Sequence, residues 1–288
     1  MSAIKMEICN EYFDSKAISD SGQCFRWYIQ EDGSVAFLYG RCAVFVVQKD
    51  FYTVYAYEKG VSAKKIEEKL VRYFDLDRDY GEIISSIRPD DKVLLKAADE
   101  GRGLRILNQD LWEIIVSFII SQNNNIPRIK KSIYKLCEKY GEEVDIKGLK
   151  SFVEKDLGKG SFSWPLELNK TFPTPQMLEG KILDDLGLGY RDKYIEELVC
   201  SVLSGEVKID EFKIPAEDEL MKIKGIGKKV AACIELFGLH DLGAFPRDTW
   251  VKKIEEKYYN GRFEENFYKG TAGIMQQYLF CYERSLKK

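Results

Sequence analysis

The chain has 288 residues, of which 45% are apolar and 32% charged, a balance that fits a water-soluble globular protein with a substantial core and room for two or three subdomains. Its net charge of −3 and pI of about 5.6 give no global attraction to nucleic acid, so any such field must be local. No stretch approaches the roughly 18 uninterrupted apolar residues of a membrane span, and seven cysteines without paired spacing argue against a disulfide framework, so a cytoplasmic protein with no membrane partner is expected, in a bacterial or archaeal cell.

Residues 1 to about 60 read as β-rich. The segments 24–30, 34–40, 42–48 and 51–58 are short, aromatic and β-branched, and Asp32-Gly33, Tyr39-Gly40 and Lys49-Asp50 punctuate them. Their regular spacing predicts an antiparallel meander. From Ser62 the pattern turns helical, with a serine cap and apolar residues at helical spacing through Phe74. Asp110–Ser121 predicts a strongly apolar helix opened by an aspartate, and Pro127–Tyr140 another with proline in its first turn. Helices are also expected over Met177–Leu186, Arg191–Leu203, Ala216–Lys222 and Lys228–Phe237, and after Asp248. The fold class is therefore α+β, with a β-rich part over 1–105 and a helical region over 106–288.

The most informative stretch is KGIGKKVAACI, residues 224–234, followed nineteen residues after Lys229 by Asp248 in AFPRDTW. Gly225 and Gly227 bracket one apolar residue, Ile226, between two amphipathic runs. Glycines there allow a tight turn with positive φ and a close approach of another backbone. The free N–H groups of such a turn, at the start of a helix, form a site for one phosphate. Lys222, Lys224, Lys228 and Lys229 add local positive charge, although charge alone reads equally as a solvated helix face. Asp248 stands where an N-cap is expected. His240, the only histidine, has no partner of its kind and reads as a loop residue, which disfavours a zinc site.

Further pieces occur in order along the chain: SGQCFRW from Ser21, SQNNNIPRI from Ser121, LGLGYRDKY from Leu186, and Gln276 with Phe280. Together with the hairpin and the Asp248 segment they resemble the helix-hairpin-helix glycosylase superfamily, and within it the 8-oxoguanine DNA glycosylase branch. The four-cysteine cluster of the endonuclease III-like branch is missing after the hairpin. The resemblance implies a TBP-like N-terminal sheet followed by helical glycosylase domains, with the hairpin at 223–227. It also implies a monomeric, bifunctional repair enzyme without cofactor or metal. Such an enzyme flips 8-oxoguanine opposite cytosine out of double-stranded DNA, excises it with a lysine nucleophile and cleaves the strand by β-elimination.

By the same resemblance, Lys229 is the nucleophile and Asp248 its catalytic carboxylate. Stabilising positive charge on the reacting sugar suits Asp248 better than taking the lysine proton. Cys233 lines the base pocket, its thiolate paired with the Lys229 ammonium. Phe280 stacks on the base, Gln276 bonds its Watson–Crick edge, and the Gly22 carbonyl accepts N7–H, a donor that guanine lacks. Asn123 fills the vacated space, Tyr190 wedges beside the opposite base, and Arg128 and Arg191 contact that base. Gly225 and Gly227 hold a phosphate. Each residue also has a plainer role open to it: phosphate binding for Lys229, capping for Asp248 and the asparagines, and core packing for Cys233 and Phe280. Trp250 and Ala232 depart from the histidine and aspartate of eukaryotic members, which bears on rate more than on reaction. Two other functions compete. A monofunctional alkylpurine DNA glycosylase keeps the aspartate but lacks the hairpin lysine. A non-catalytic helix-hairpin-helix DNA-binding module needs none of Lys229, Asp248, Gln276 and Phe280.

Overall fold

The structure is a computed structural model that describes residues 2–48 and 50–286, so Lys49 of the third expected turn lies outside the described residues. The strands are β1 (Ala3–Ile8), β2 (Trp27–Ile29), β3 (Val35–Tyr39), β4 (Cys42–Gln48) and β5 (Tyr52–Tyr57). The helices begin with α1 (Ser15–Asp20), α2 (Ala63–Tyr73), α3 (Tyr80–Ser85), α4 (Lys92–Glu100), α5 (Leu111–Ser121), α6 (Ile126–Tyr140) and α7 (Ile146–Leu157). They continue with α8 (Pro175–Leu178), α9 (Arg191–Leu203), α10 (Glu217–Leu220), α11 (Lys228–Phe237), α12 (Thr249–Tyr258) and α13 (Ala272–Ser285). Among the described residues no helix is long and apolar enough to cross a membrane.

One antiparallel sheet carries the strands in the order β1-β5-β4-β3-β2. From β2 to β5 it is the expected meander, with Trp27 opposite Phe37, Val35 opposite Val46 and Val44 opposite Ala56. β1 adds beyond β5, Ile4 opposite Ala56, and is an element the sequence reading misses. Its lysine, methionine and glutamate are helix formers. Yet Ile4, Met6 and Ile8 alternate with exposed Lys5 and Glu7, the period of two of a half-buried strand.

The chain divides into two compact units. One comprises 1–10, 24–73 and 119–208, the other 11–23, 74–118 and 209–288. In the first, Ala36, Leu38, Ala43, Phe45 and Tyr55 on one sheet face share a core with Leu149 and Val153 of α7. Gly148 permits that approach, because a Cβ there would lie 2.2 Å from the Tyr57 ring. On the opposite face Tyr73 of α2 stacks on Phe37 at 5.2 Å, and its hydroxyl accepts a hydrogen bond from Trp27 Nε1 at 2.8 Å.

The helix expected over Met177–Leu186 is not continuous. α8 stops at Leu178, Gly180 takes φ +63, and only a short 3-10 turn forms over Asp184–Leu186. Apolar spacing cannot carry a helix through a left-handed glycine. In the second unit α13 packs on α4 and α12. Arg105 is fully buried there and spends its guanidinium on the carbonyls of Phe74, Tyr12, Asp75 and Arg78. Such burial is tolerated because the donors are satisfied.

Candidate active site

The chain turns between α10 and α11 through the expected glycines, which play different parts. Gly225 has φ +88, a conformation that favours glycine. Gly227 is extended at φ −98 and ψ 174, which any residue adopts, and a Cβ there would meet nothing within 4 Å. Positive φ thus holds for Gly225 alone. The protein's own packing does not demand glycine at 227. Gly227 leaves the exposed start of α11 bare of side chain, and no side chain caps that helix. Its first N–H groups are open to an anion.

Lys228 lies on the surface, 3.4 Å from Glu217. Lys229 turns inward to a half-buried position with its amine 5.5 Å from the centre of the Phe118 ring. Cys233 lies one turn on and is buried, within electrostatic reach of the Lys229 amine. Burial pushes the Cys233 thiol up to about 11, the Lys229 charge pulls it down and the Asp248 charge pushes it up. Desolvation outweighs the amine, so the thiol is neutral at pH 7. The expected thiolate is corrected to a thiol.

Asp248 is the N-cap of α12. Its Oδ1 accepts from the Trp250 and Val251 N–H groups at 2.9 and 2.8 Å, and Oδ2 has no partner among the described residues. One carboxylate thus caps a helix and keeps an oxygen in reserve. The charges of Lys229 and Asp248 act on this one buried thiol with opposite sign. The preceding residue braces this corner: Arg247 donates to buried Glu255 at 3.0 Å and pairs with Glu265. A groove of about 1000 Å³ opens on the same unit, with Lys228, Lys229, Ala232, Arg247, Lys252 and Lys269 on its walls.

Gln276 and Phe280 lie one turn apart on α13. Gln276 is buried and its Oε1 accepts from Gln277 Nε2 at 2.9 Å, while its own amide group makes no donation among the described residues. Phe280 is half-buried, with the Arg284 guanidinium 5.2 Å from its ring centre. Gly22, at φ +79, lies against both: a Cβ there would be 3.7 Å from Arg284 Nη1 and 4.0 Å from Phe280 Cε1. The Gly22 carbonyl accepts no hydrogen bond among the described residues.

The second group of expected site residues sits in the other unit. Asn123 holds φ +46 and its Nδ2 donates to the Tyr190 hydroxyl at 3.4 Å. Tyr190 is 49% exposed, and Arg128 is exposed in the first turn of α6, where Asn125 accepts its N–H. Arg191 departs from the expectation. It is 6% exposed, and its guanidinium donates to the carbonyls of Leu188 and Gln122 beneath the Tyr190 ring. In this structure it braces the Tyr190 turn from inside rather than reaching outward. Sequence reasoning also passes over Phe118, which nothing distinguishes from the other apolar residues of α5. It passes over Ser21, Gln23 and Arg284 as well, whose signal is adjacency to Gly22 and Phe280.

Comparison with known proteins gives the following. The family described as 8-oxoguanine DNA glycosylase, N-terminal domain, matches residues 5–115. An N-glycosylase/DNA lyase of Saccharomyces cerevisiae is 31% identical over 220 residues, which cover 71% of this chain and 54% of that protein, so the chain spans about half the length of this relative. A probable N-glycosylase/DNA lyase of Methanothermobacter thermautotrophicus is 29% identical over 260 residues, 78% of this chain and 77% of the relative. Among solved structures, the Clostridium acetobutylicum 8-oxoguanine glycosylase/lyase, in complex with double-stranded DNA containing cytosine opposite 8-oxoguanine, is 32% identical. It superposes with a TM-score of 0.81 over 100% of both chains.

Proposed function

The chain belongs to the 8-oxoguanine DNA glycosylase family of the helix-hairpin-helix superfamily, and on that premise we propose that it excises 8-oxoguanine from duplex DNA and then cleaves the strand. The observation that supports this reading is the placement of Lys229 in the first turn of α11 and of Asp248 at the cap of α12, with the charges of both felt by the buried Cys233 thiol. The hairpin N–H groups hold a phosphate of the damaged strand. The flipped base stacks on Phe280, meets the unused amide of Gln276, and donates N7–H to the free Gly22 carbonyl. Guanine offers a lone pair at that atom and is refused.

Lys229 attacks the sugar C1′. A nitrogen–carbon bond forms as the glycosidic bond breaks, its electron pair leaving with the base, which takes up the proton that the attacking amine loses. The open oxygen of Asp248 stabilises the positive charge that develops on the sugar. The C1′–O4′ bond then breaks as the nitrogen lone pair forms the C=N bond, the ring oxygen taking up a proton as the 4′ hydroxyl, and the resulting Schiff base makes the C2′ proton acidic. Its loss expels the 3′ phosphate, and water then releases the lysine. In the other unit Asn123 fills the gap, Tyr190 wedges beside the opposite base, and Arg128 directs its donors at the O2 and N3 acceptors of cytosine. Arg191 supports the wedge. The protein acts as a monomer in a bacterial or archaeal cytosol, with no cofactor, and residues 1–105 and 106–288 form its β-rich and glycosylase parts.

Duplexes with 8-oxoguanine opposite each of the four bases test the reading. Release of the free base, together with a nick that forms without alkali, is expected, fastest opposite cytosine. Release without a nick points to a monofunctional glycosylase. Binding with neither points to a DNA-binding module.

A further inference from the structure

We propose that Ser21 is a positioning residue that aims the Gly22 carbonyl and thereby sets the preference for 8-oxoguanine over guanine; this deepens the reading of Gly22 above and rests on it. Gly22 follows α1 at φ +79 and has no side chain to hold it. Its carbonyl belongs to the peptide that joins it to Gln23. That peptide is planar and trans, so its C=O and N–H point in opposite directions. The N–H of Gln23 donates to Ser21 Oγ at 3.4 Å. Holding the N–H on one side holds the carbonyl on the other.

Ser21 can serve as an anchor because its hydroxyl is itself fully committed. It donates to the Ile18 carbonyl at 2.7 Å and accepts from Gln23 Nε2 at 2.9 Å as well as from the Gln23 N–H, which uses one proton and two lone pairs. Gln23 is tied in turn to the segment behind it. Its Nε2 donates to the Arg105 carbonyl at 2.9 Å, its Oε1 accepts from the Leu107 N–H at 2.7 Å, and its carbonyl accepts from Gln109 Nε2 at 2.9 Å. Ser21 and Gln23 are 1% and 0% exposed, so water cannot replace either. Within this saturated cluster the Gly22 carbonyl is left without a partner, and a Cβ on Gly22 would touch Phe280.

The consequence is chemical. If the Gly22–Gln23 peptide flipped, which glycine permits cheaply, it would present an N–H donor where the carbonyl stood. A donor there suits the N7 lone pair of guanine and repels the N7–H of 8-oxoguanine. The Ser21 hydroxyl blocks that flip.

The test compares the full-length wild type with Ser21→Ala on three duplexes, carrying 8-oxoguanine, guanine or an abasic site, each opposite cytosine. The abasic site bypasses the base pocket and reports on Lys229 alone. In Ser21→Ala, 8-oxoguanine release is expected to fall about tenfold or more relative to abasic cleavage. Guanine release should hold or rise, and abasic cleavage should stay within about twofold of wild type. Ser21→Cys nearly preserves the volume but weakens the acceptor; it should fall between the two, and it decides the matter if the alanine variant does not fold. An unchanged ratio overturns the proposal. Parallel loss of release and abasic cleavage with a lowered Tm also overturns it, since Ser21 would then be only structural. Wild-type protein that releases no 8-oxoguanine overturns the functional reading itself, and this inference with it.

Discussion

Cys233 lies one turn beyond Lys229 on α11, within reach of the charge on its amine, while burial keeps the thiol protonated. At neutral pH the two do not form a pair of opposite charges. This has a measurable sign. The folded-state pKa of about 11 lies above the ordinary 9.0, so the folded protein keeps a proton that the unfolded chain gives up. Stability from this group is complete below pH 9 and is lost as pH rises through 11. The Tm of wild type should therefore fall more steeply over that window than that of Cys233→Ala. Parallel curves would show that burial does not perturb the thiol.

The hairpin glycines should separate under substitution. Gly225→Ala must hold a left-handed φ and is expected to lose about 1 kcal/mol or more of stability. Gly227→Ala adds a methyl group that meets nothing but replaces glycine by a poorer N-cap, so it should lose about 0.5 kcal/mol of stability, while its affinity for duplex DNA drops. Denaturant melts beside fluorescence-anisotropy titrations read both quantities. Undiminished DNA affinity in Gly227→Ala would place the phosphate elsewhere.

Asp248→Asn preserves an oxygen for the Trp250 and Val251 N–H groups but removes the charge of the open Oδ2. The fold should weaken only slightly, and single-turnover excision should slow by roughly a hundredfold to a thousandfold. A Tm loss that accounts for the rate loss would make Asp248 a cap and nothing more.

Arg128 is exposed in the first turn of α6 and is the arginine of the pair whose guanidinium is not spent on buried backbone carbonyls. Arg128→Met is expected to relax the preference for cytosine over adenine opposite the lesion by about tenfold or more, with a smaller fall in excision opposite cytosine. A ratio that stays at the wild-type value, with all duplexes bound more weakly, would reduce Arg128 to a phosphate contact.

Much of this protein is legible in its sequence, for reasons that differ by element. The meander β2–β5 shows because its strands are apolar, aromatic and punctuated by turns. α9 and α11 fall at their expected bounds because apolar period and flanking glycines agree, although neither helix has a side-chain cap. β1 stays hidden because helix-forming residues overlie a period of two, and the 177–186 helix fails because Gly180 interrupts an apolar spacing that is otherwise helical. In the site, Lys229, Asp248 and the Gly225 turn can be read from local motif. The neutrality of Cys233 and the inward turn of Arg191 cannot, since both follow from burial by residues distant in the chain. The same holds for Ser21, whose part depends on Gln23 bonding to Arg105 and Leu107.

The central claim is that the Lys229 amine forms the bond to the sugar. Borohydride reduction during reaction with an 8-oxoguanine duplex, followed by peptide mapping of the trapped adduct, tests it most directly. Wild type is expected to give one covalent protein–DNA species mapped to Lys229, and Lys229→Gln should bind the duplex yet give neither adduct nor free base. An adduct of undiminished yield in Lys229→Gln, or one that maps to the neighbouring Lys228 in wild type, would contradict the account.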